Sequence, residues 1–203
     1  MARPPIAHEK ILAAARQIVE RDGAGALTFD ELVKESGITR GGITYHFPTK
    51  EDLVFGRMEF FEEQLIAAVR QRAPEESAVA AFGRMVLADI DQLAARTEMI
   101  AKAAMLIRSS LALQAREREI TARYTARLAG VFTAETESAD DDIEAWAAAS
   151  ALMAVHRGLL EHVRNEVLAG RRGAQLSKDA IAQASRALAR LESGLADYPA
   201  NPH

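Results

Sequence analysis

Apolar residues recur every three or four positions along almost the whole chain, which is the spacing of one face of an α-helix. In the first such segment, residues 6–22, Ile11, Ala15 and Ile18 share a face, and Gly23 marks the end. No stretch alternates apolar and polar residues for long enough to predict a sheet. The pattern therefore predicts an all-α protein of about nine helices.

Short helices with defined ends are predicted in the N-terminal quarter. Thr28 has the position of a cap for a second helix, which Gly37 ends. A third helix begins at Thr39 and ends before Pro48, and Thr49 caps a fourth helix. Two short helices joined by a three-residue turn are typical of a helix-turn-helix, whose second helix enters the DNA major groove.

Longer helices are predicted over residues 75–95, 97–111, 114–132, 141–169 and 177–196. The last of them carries an apolar stripe, and the one before it carries small residues that allow close helix approach. The stripe is Ala180, Ile181, Ala184, Ala187, Leu188, Leu191 and Leu195, and the small residues are Ala145, Ala147, Ala148, Ala149, Ser150, Ala151 and Ala154. The apolar stripe must be covered by another apolar surface.

Composition limits the class of protein. The chain has 203 residues, of which 49% are hydrophobic and 27% charged, as in soluble globular proteins. It contains no cysteine, which excludes disulfides and cysteine-based zinc sites and fits a reducing compartment. Neither a signal peptide nor an uninterrupted apolar stretch of membrane-spanning length is recognisable. We therefore expect a cytoplasmic protein that does not enter a membrane.

Motifs for catalysis or metal binding are not recognisable in the sequence. It has no glycine-rich phosphate loop, no GxSxG and no HExxH. His156 and His162 are six positions apart, which places them about 240° apart around a helix axis and prevents them from sharing one ion. We therefore expect no enzyme, no metal and no cofactor, with a helical enzyme as the most distant alternative because carboxylates are numerous.

The stretch GITRGGITYHFPTKEDL, residues 37–53, is unusual in charge and in its glycines. The chain has a formal charge of -4, yet residues 1–50 contain seven basic and six acidic residues, and no acid lies between Glu35 and Glu51. Gly41 and Gly42 each destabilise a helix by about 1 kcal/mol relative to alanine. Such glycines suit a backbone that DNA approaches closely.

Polar side chains of this stretch have the chemistry of DNA contacts. Arg40 can bind a guanine edge or a phosphate, and a threonine can contact a thymine methyl or a phosphate. Lys50 lies at a helix start, where free backbone N–H groups and the helix dipole favour an anion. The candidate DNA-contacting residues are Thr28, Thr39, Arg40, Gly41, Gly42, Thr44, Tyr45, His46 and Lys50.

The segment ALTFDELVKESGITRGGITYHFPTKEDL, residues 26–53, resembles the tetracycline-repressor-like (TetR) family of bacterial transcription regulators. The run Tyr45-His46-Phe47 and the helix start from Lys50 to Leu53 carry the resemblance. It implies a helix-turn-helix DNA-binding domain over 1–50 and a helical effector-binding and dimerisation domain over 51–203. It also implies phosphate contacts by the polar residues of the segment, which are Thr28, Tyr45, His46 and Lys50, and base reading by the helix from Thr39 to Tyr45.

The resemblance also implies a four-helix interface made by the last two helices of each of two subunits, with packing inside one chain as the alternative. The function that this resemblance implies is a homodimeric repressor that binds palindromic double-stranded operators and is released by a small, largely apolar ligand. Candidate pocket residues are large or soft side chains on the middle helices, and each is equally suited to a plain core. They are Phe61, Met85, Met105, Leu106, Trp146, Met153 and His156. The alternative function is a helical small-molecule-binding dimer without sequence-specific DNA binding.

Overall fold

The computed structural model describes residues 6–22, 26–91, 96–137 and 142–195, apart from the side chains of Ile6, Glu20, Lys50, Glu51, Arg57, Asp91 and Leu195. Within these ranges the chain forms nine helices and no strand. They are α1 (Ile6–Asp22), α2 (Phe29–Ser36), α3 (Arg40–His46), α4 (Lys50–Arg70), α5 (Ala78–Asp91), α6 (Thr97–Ser109), α7 (Leu111–Thr136), α8 (Ile143–Leu168) and α9 (Gly173–Leu195). The predicted all-α fold is confirmed.

The head consists of α1, α2, α3 and the first turns of α4 around a small apolar core. Buried side chains from all four helices form this core, and Phe47, which follows α3, lies at its centre with 1% of its surface exposed. Gly56 of α4 packs against Phe47, because a Cβ atom there would lie 2.7 Å from the ring of Phe47 and 2.9 Å from Leu12. The absence of a side chain at this position therefore lets α4 approach the head closely.

The body consists of the rest of α4 and α5 to α9, and it has a separate core. Leu53 packs in the core of the head, whereas Phe55 packs in the core of the body. The change from one core to the other falls inside α4, between Leu53 and Phe55, a few residues beyond the domain boundary expected after residue 50. A single continuous helix joins the two parts.

The apolar stripe of α9 is partly covered by its own chain. Ala180, Ala184 and Leu188 are buried, and Leu188 lies so close to Gly83 of α5 that a Cβ atom there would be 3.0 Å from it. This part of the stripe packs against α5 and α8, whereas Ile181, Ala187 and Leu191 are only half-buried, so a subunit interface through α9 stays a prediction. The small residues of α8 divide between two faces, with Ala145, Ala148 and Ala149 buried and Ala147, Ser150 and Ala154 exposed.

Several helix ends differ from the sequence prediction. The break expected at residues 112–114 lies at Ser110, whose hydroxyl accepts a hydrogen bond from the Leu113 N–H at 3.3 Å and caps α7. The helix α9 begins at Gly173 and not at residue 177, and Gly173 has a φ of 76°, which favours glycine.

None of the helices in the described ranges is long and apolar enough to cross a membrane.

Candidate nucleic-acid interface and effector site

The helices α2 and α3 form a helix-turn-helix whose geometry is fixed by local hydrogen bonds. Gly37 ends α2 in the left-handed region with a φ of 67°, and its N–H donates to the Val33 carbonyl at 3.0 Å. The hydroxyl of Thr39 accepts from the Gly42 N–H at 3.2 Å and caps α3. Thr28 caps α2 in the same way, through the Glu31 N–H at 3.2 Å. Thr28 and Thr39, two of the three threonines predicted to contact DNA, are thus also helix caps.

Arg40 lies at the exposed start of α3 and is held by two contacts from α2. Its Nη1 is 2.9 Å from Oδ1 of Asp30, and its guanidinium lies 5.5 Å from the centre of the Phe29 ring. The stretch from Glu35 to Glu51 has no acidic residue in the sequence. In the folded chain, however, Asp30 of α2 lies beside Arg40 and partly neutralises its charge. Both side chains of the pair are largely exposed, so the ion pair is weak enough for a phosphate or a base edge to compete with it.

The two adjacent glycines of α3 have different surroundings. A Cβ atom at Gly41 would have no atom within 4 Å, whereas one at Gly42 would lie 2.9 Å from the Ile38 methyl Cγ2 and 3.3 Å from the Thr39 hydroxyl. Packing against the turn thus accounts for the glycine at position 42. A close approach of DNA to the backbone is needed as an explanation only for Gly41. This separates two residues that the sequence analysis treated alike.

The outer face of α3 ends in an exposed aromatic side chain. Tyr45 has 83% of its surface exposed, and its ring packs edge-on at 5.2 Å against the half-buried ring of His46. The Thr44 hydroxyl donates to the Arg40 carbonyl at 3.0 Å, which leaves its oxygen able to accept. Ile43, on the opposite face, is fully buried in the head core. The helix therefore exposes one polar face and anchors the other.

His8 of α1 is a neighbour of this face that the sequence analysis missed. Its ring stacks 4.7 Å from Phe47 and lies 6.1 Å from the ring of His46. Burial lowers the pKa of His8, and the nearby His46 lowers it further. No local spacing relates residue 8 to residue 46, so only the tertiary fold reveals that two imidazoles lie behind the exposed face.

The start of α4, where a phosphate site was expected, already contains a buried carboxylate. Thr49 and Asp52 form a complete capping box, with Oδ2 of Asp52 accepting from the Thr49 N–H at 2.8 Å. Asp52 is 2% exposed, and Arg116 of α7 balances its charge with Nε at 2.7 Å from Oδ1. Lys50 begins the helix, but its side chain lies outside the described part of the structure.

The seven candidate pocket residues differ widely in burial. Trp146 and Met105 are exposed by 42% and 54%, so these two side chains do not lie in the interior of the body. Phe61, Met85 and Leu106 are half-buried and pack against the body core, and Met153 and His156 are buried within it. Of this set, Phe61 and His156 are in direct contact, with ring centres 5.2 Å apart.

Two buried ionisable groups lie inside the body. Burial raises the pKa of Glu62 to about 8, and the nearby carboxylate of Glu59 adds to the effect. Oε2 of Glu62 has no hydrogen-bond partner among the described residues. Burial lowers the pKa of His156 to about 4, so this imidazole is neutral at neutral pH. The sequence contained no signal that Glu62, one of several acids on α4, is buried.

A cleft of about 190 Å³ lies between α6, α7 and α8. Its charged walls are formed by Arg108, Glu117, Glu161 and Arg164, and an ion pair of 2.6 Å joins Arg164 to Glu117. None of the seven predicted pocket residues lines it. Across the described ranges, no group of three or more His, Asp or Glu side chains is placed to hold a metal ion.

Comparison with known proteins agrees with the geometry of the head. Residues 11–56 match the family model described as bacterial regulatory proteins, tetR family. Over 80 residues the chain is 34% identical to the nucleoid occlusion factor SlmA of Vibrio atlanticus, covering 39% of this chain and 41% of that protein. Over 78 residues it is 32% identical to SlmA of a Marinomonas species, covering 38% and 40%. The chain thus matches about two fifths of the length of these curated relatives.

Solved structures share the fold of the whole chain. The regulator FadR of Bacillus subtilis, in complex with stearoyl-CoA, has a TM-score of 0.54 at 21% identity, covering 92% of this chain and 98% of that chain. The fatty acid degradation regulator FadR of Bacillus halodurans has a TM-score of 0.56 at 19% identity, covering 92% and 97%. At such identities the likeness shows the fold alone. The similarity to the tetR family of bacterial regulatory proteins is a similarity of the head, over residues 11–56.

Proposed function

We propose that the chain is a DNA-binding transcription regulator whose helix α3 reads the major groove. The observation that carries this proposal is the division of α3 into two faces: Ile43 is anchored in the core, while Arg40, Gly41 and Tyr45 are exposed. A recognition helix needs this arrangement, because the anchored face sets the angle of entry and the exposed face meets the bases. The open space at Gly41 allows the DNA backbone to come close to the helix.

We propose that two chains associate through exposed small residues of the last two helices. Ala147, Ser150 and Ala154 form an exposed row on α8, and Ala182 and Ala189 are exposed on α9. Small side chains allow two helices to approach closely, and a two-fold axis between them would pair the same face of each subunit. The two recognition helices would then meet half-sites about 34 to 36 Å apart, on a near-palindromic operator.

We propose that the body binds a small effector that releases the DNA. Regulators of the same fold bind small molecules, as the stearoyl-CoA complex of FadR and the triclosan complex of SmeT indicate. The cleft between α6, α7 and α8 has charged walls, so a ligand that binds there needs polar groups. The largely apolar ligand expected from the sequence does not suit this cleft. Release requires that the effector bind more tightly to the state that does not fit the operator.

The DNA-binding proposal is tested by selecting sites from a random DNA pool with the purified protein, followed by affinity measurements on the selected site. Tyr45→Ala should weaken binding by about tenfold, because Tyr45 is exposed and its loss removes a contact to DNA without disturbing a core. Leu111→Ala is the matched control, since Leu111 is 82% exposed but lies at the start of α7 in the body. Equal binding by both variants would contradict the proposal.

The alternative, a ligand-binding dimer that does not read DNA, is favoured by one observation. The described basic side chains of α2 and α3 both have acidic partners, Lys34 with Glu31 at 2.6 Å and Arg40 with Asp30 at 2.9 Å. Paired cations attract a polyanion less strongly than free ones. A selection that yields no palindromic consensus, together with binding that depends only on salt, would favour this alternative.

A further inference from the structure

The helices α4 and α7 are joined by acid–arginine pairs in a constant register. Asp52 pairs with Arg116, Glu59 with Arg123 and Glu63 with Arg127, and in each case the two residues are 64 positions apart. The distance from Arg116 Nε to Asp52 Oδ1 is 2.7 Å, as is that from Arg127 Nη2 to Glu63 Oε2. A constant separation means that the two helices run parallel, and a slide of one along the other would break all the pairs together. We call these three pairs the α4–α7 ladder.

The rung of the ladder that is nearest to the head differs from the other two in its burial and its partners. Asp52 is 2% exposed, whereas the side chain of Glu63 is 50% exposed. Both oxygens of Asp52 are used: Oδ1 accepts from Arg116, and Oδ2 accepts from the N–H and the hydroxyl of Thr49, each at 2.8 Å. Removing one partner of a buried carboxylate is costly, because the remaining charge loses its compensation.

The same carboxylate connects α7 to the recognition helix along a short path. Thr49 caps α4, and only Phe47 and Pro48 separate it from the last residue of α3. Pro48 has a fixed φ, and Phe47 is buried in the head core, so this connection has little freedom. A displacement of Asp52 is therefore passed on to the end of α3.

We propose that Arg116 is the positioning residue through which the body sets the placement of the DNA-reading head. This inference rests on the proposed function as a DNA-binding regulator. Arg116 also lies 3.2 Å from Glu119 and 3.8 Å from Glu59, which keeps its guanidinium at the start of α7. When the first turns of α7 move, Arg116 carries Asp52, and hence the cap of α4, with them.

The described cleft offers a place from which an effector can move these turns. Gln114 and Glu117, which lie on either side of Arg116 in α7, both line the cleft. Glu117 is held by Arg164 of α8 at 2.6 Å, so an occupant that competes for either charge would change the contact between α7 and α8. The regulatory path then runs from the cleft through Arg116 to Asp52.

The test compares Arg116→Met with Arg127→Met in the full-length protein. Each variant removes one rung of the ladder and keeps an unbranched apolar stem in place of the charged side chain, but only Arg116 contacts the cap of α4. We would measure amide hydrogen exchange in the segment 47–56, the melting temperature, and the affinity for a random-sequence DNA duplex at low salt. Arg116→Met should accelerate exchange in this segment by about tenfold or more, and Arg127→Met should leave it unchanged.

The DNA measurement separates a positioning role from a merely structural one. Arg116→Met should lose more affinity for DNA than Arg127→Met even where both lower the melting temperature equally, since only the first frees the head from α7. Equal exchange and equal DNA affinity in the two variants would overturn the proposal. If Arg116→Met does not fold, Arg116→Lys takes its place and should give a smaller change in the same direction, because lysine keeps the charge but not the forked geometry. If the wild-type protein binds no DNA, the proposed function fails, while the exchange data still decide whether Arg116 holds the cap.

Discussion

The head and the body differ in how their polar side chains find partners. In the head, the hydroxyls of Thr28, Thr39 and Thr49 each accept from a backbone N–H three residues further along the chain. In the body, polar partners come from distant parts of the chain, as in the forked pair of Arg72 with Glu135, 63 residues apart, with both oxygens at 2.8 Å. The head is thus shaped by local rules, and the body by the register of long helices.

This difference assigns different tasks to the two regions. Local caps fix the shape of the helix-turn-helix independently of the rest of the chain, which leaves its outer face free to meet a partner. Interhelical pairs depend on the relative position of whole helices, so they respond when one helix shifts. A regulator needs both properties, a rigid reading surface and a body whose helices can be displaced.

The largest expected effect concerns the buried carboxyl of the body. The pKa of Glu62 is raised from 4.5 to about 8 by burial, so the folded chain holds a proton that the unfolded chain releases above pH 4.5. Stability that is present below pH 4.5 is therefore lost as the pH rises to about 8. The loss is at most about 1.4 kcal/mol per pH unit, or about 5 kcal/mol over the whole range.

Glu62→Gln should remove this loss, because the amide stays neutral at every pH and is close to the carboxyl in size. Urea unfolding of the wild type and the variant across this pH range is the measurement. The variant should become the more stable of the two as the pH rises, while Glu63→Gln, at the exposed pair with Arg127, serves as a control on the same helix. A difference between wild type and Glu62→Gln that does not change with pH would contradict the assignment of a buried neutral carboxyl.

A smaller effect of opposite sign is expected from the buried imidazole. The pKa of His156 is lowered from 6.5 to about 4, mainly by burial, with Asp89 raising it and Arg164 lowering it. Between pH 6.5 and 4, the unfolded chain therefore binds a proton at His156 and the folded chain does not. The free energy of unfolding falls as the pH drops through this range. The loss is on the order of 3 kcal/mol at most.

His156→Gln should reduce this dependence of the free energy of unfolding on pH below 6.5, as measured by urea unfolding. The variant should also be less stable at all pH values, because it loses the contact with Phe61. An unchanged slope would mean that another group carries the titration.

The sequence predicted the head well because its signals are local. Thr39, Gly37 and Thr49 mark helix ends by rules that involve only three or four neighbouring residues. What the local rules could not supply was the partner of Arg40, because Asp30 approaches it only after α2 and α3 are packed together.

The body could be predicted in its helices but not in its site. Periodicity identifies the apolar face of α9, but it does not say that α5 and α8 cover the buried part of this face. Side-chain size suggested Trp146 and Met105 as pocket residues, although both are exposed. Glu62 is buried near Arg123 and Glu117 of α7, which lie more than fifty residues further along the chain, so no local spacing could predict its burial.

The smallest expected effect compares the two adjacent glycines of α3 and tests the reading surface itself. Gly42→Ala should lower the stability of the head, because its methyl group would lie 2.9 Å from Ile38 and crowd the cap of Thr39. Gly41→Ala meets only open space and should stabilise the helix by up to about 1 kcal/mol.

The DNA affinities of the two alanine variants distinguish a folding role from a reading role. If the duplex approaches the backbone at Gly41, Gly41→Ala combines a more stable head with weaker binding to DNA, since the added methyl group holds the duplex away. Thermal unfolding and binding to the selected DNA site measure the two quantities separately. A Gly41→Ala variant that is more stable and binds as tightly as the wild type would mean that DNA does not contact this turn of α3. The reading surface would then lie towards Tyr45, and the glycine at position 41 would have no role that the structure explains.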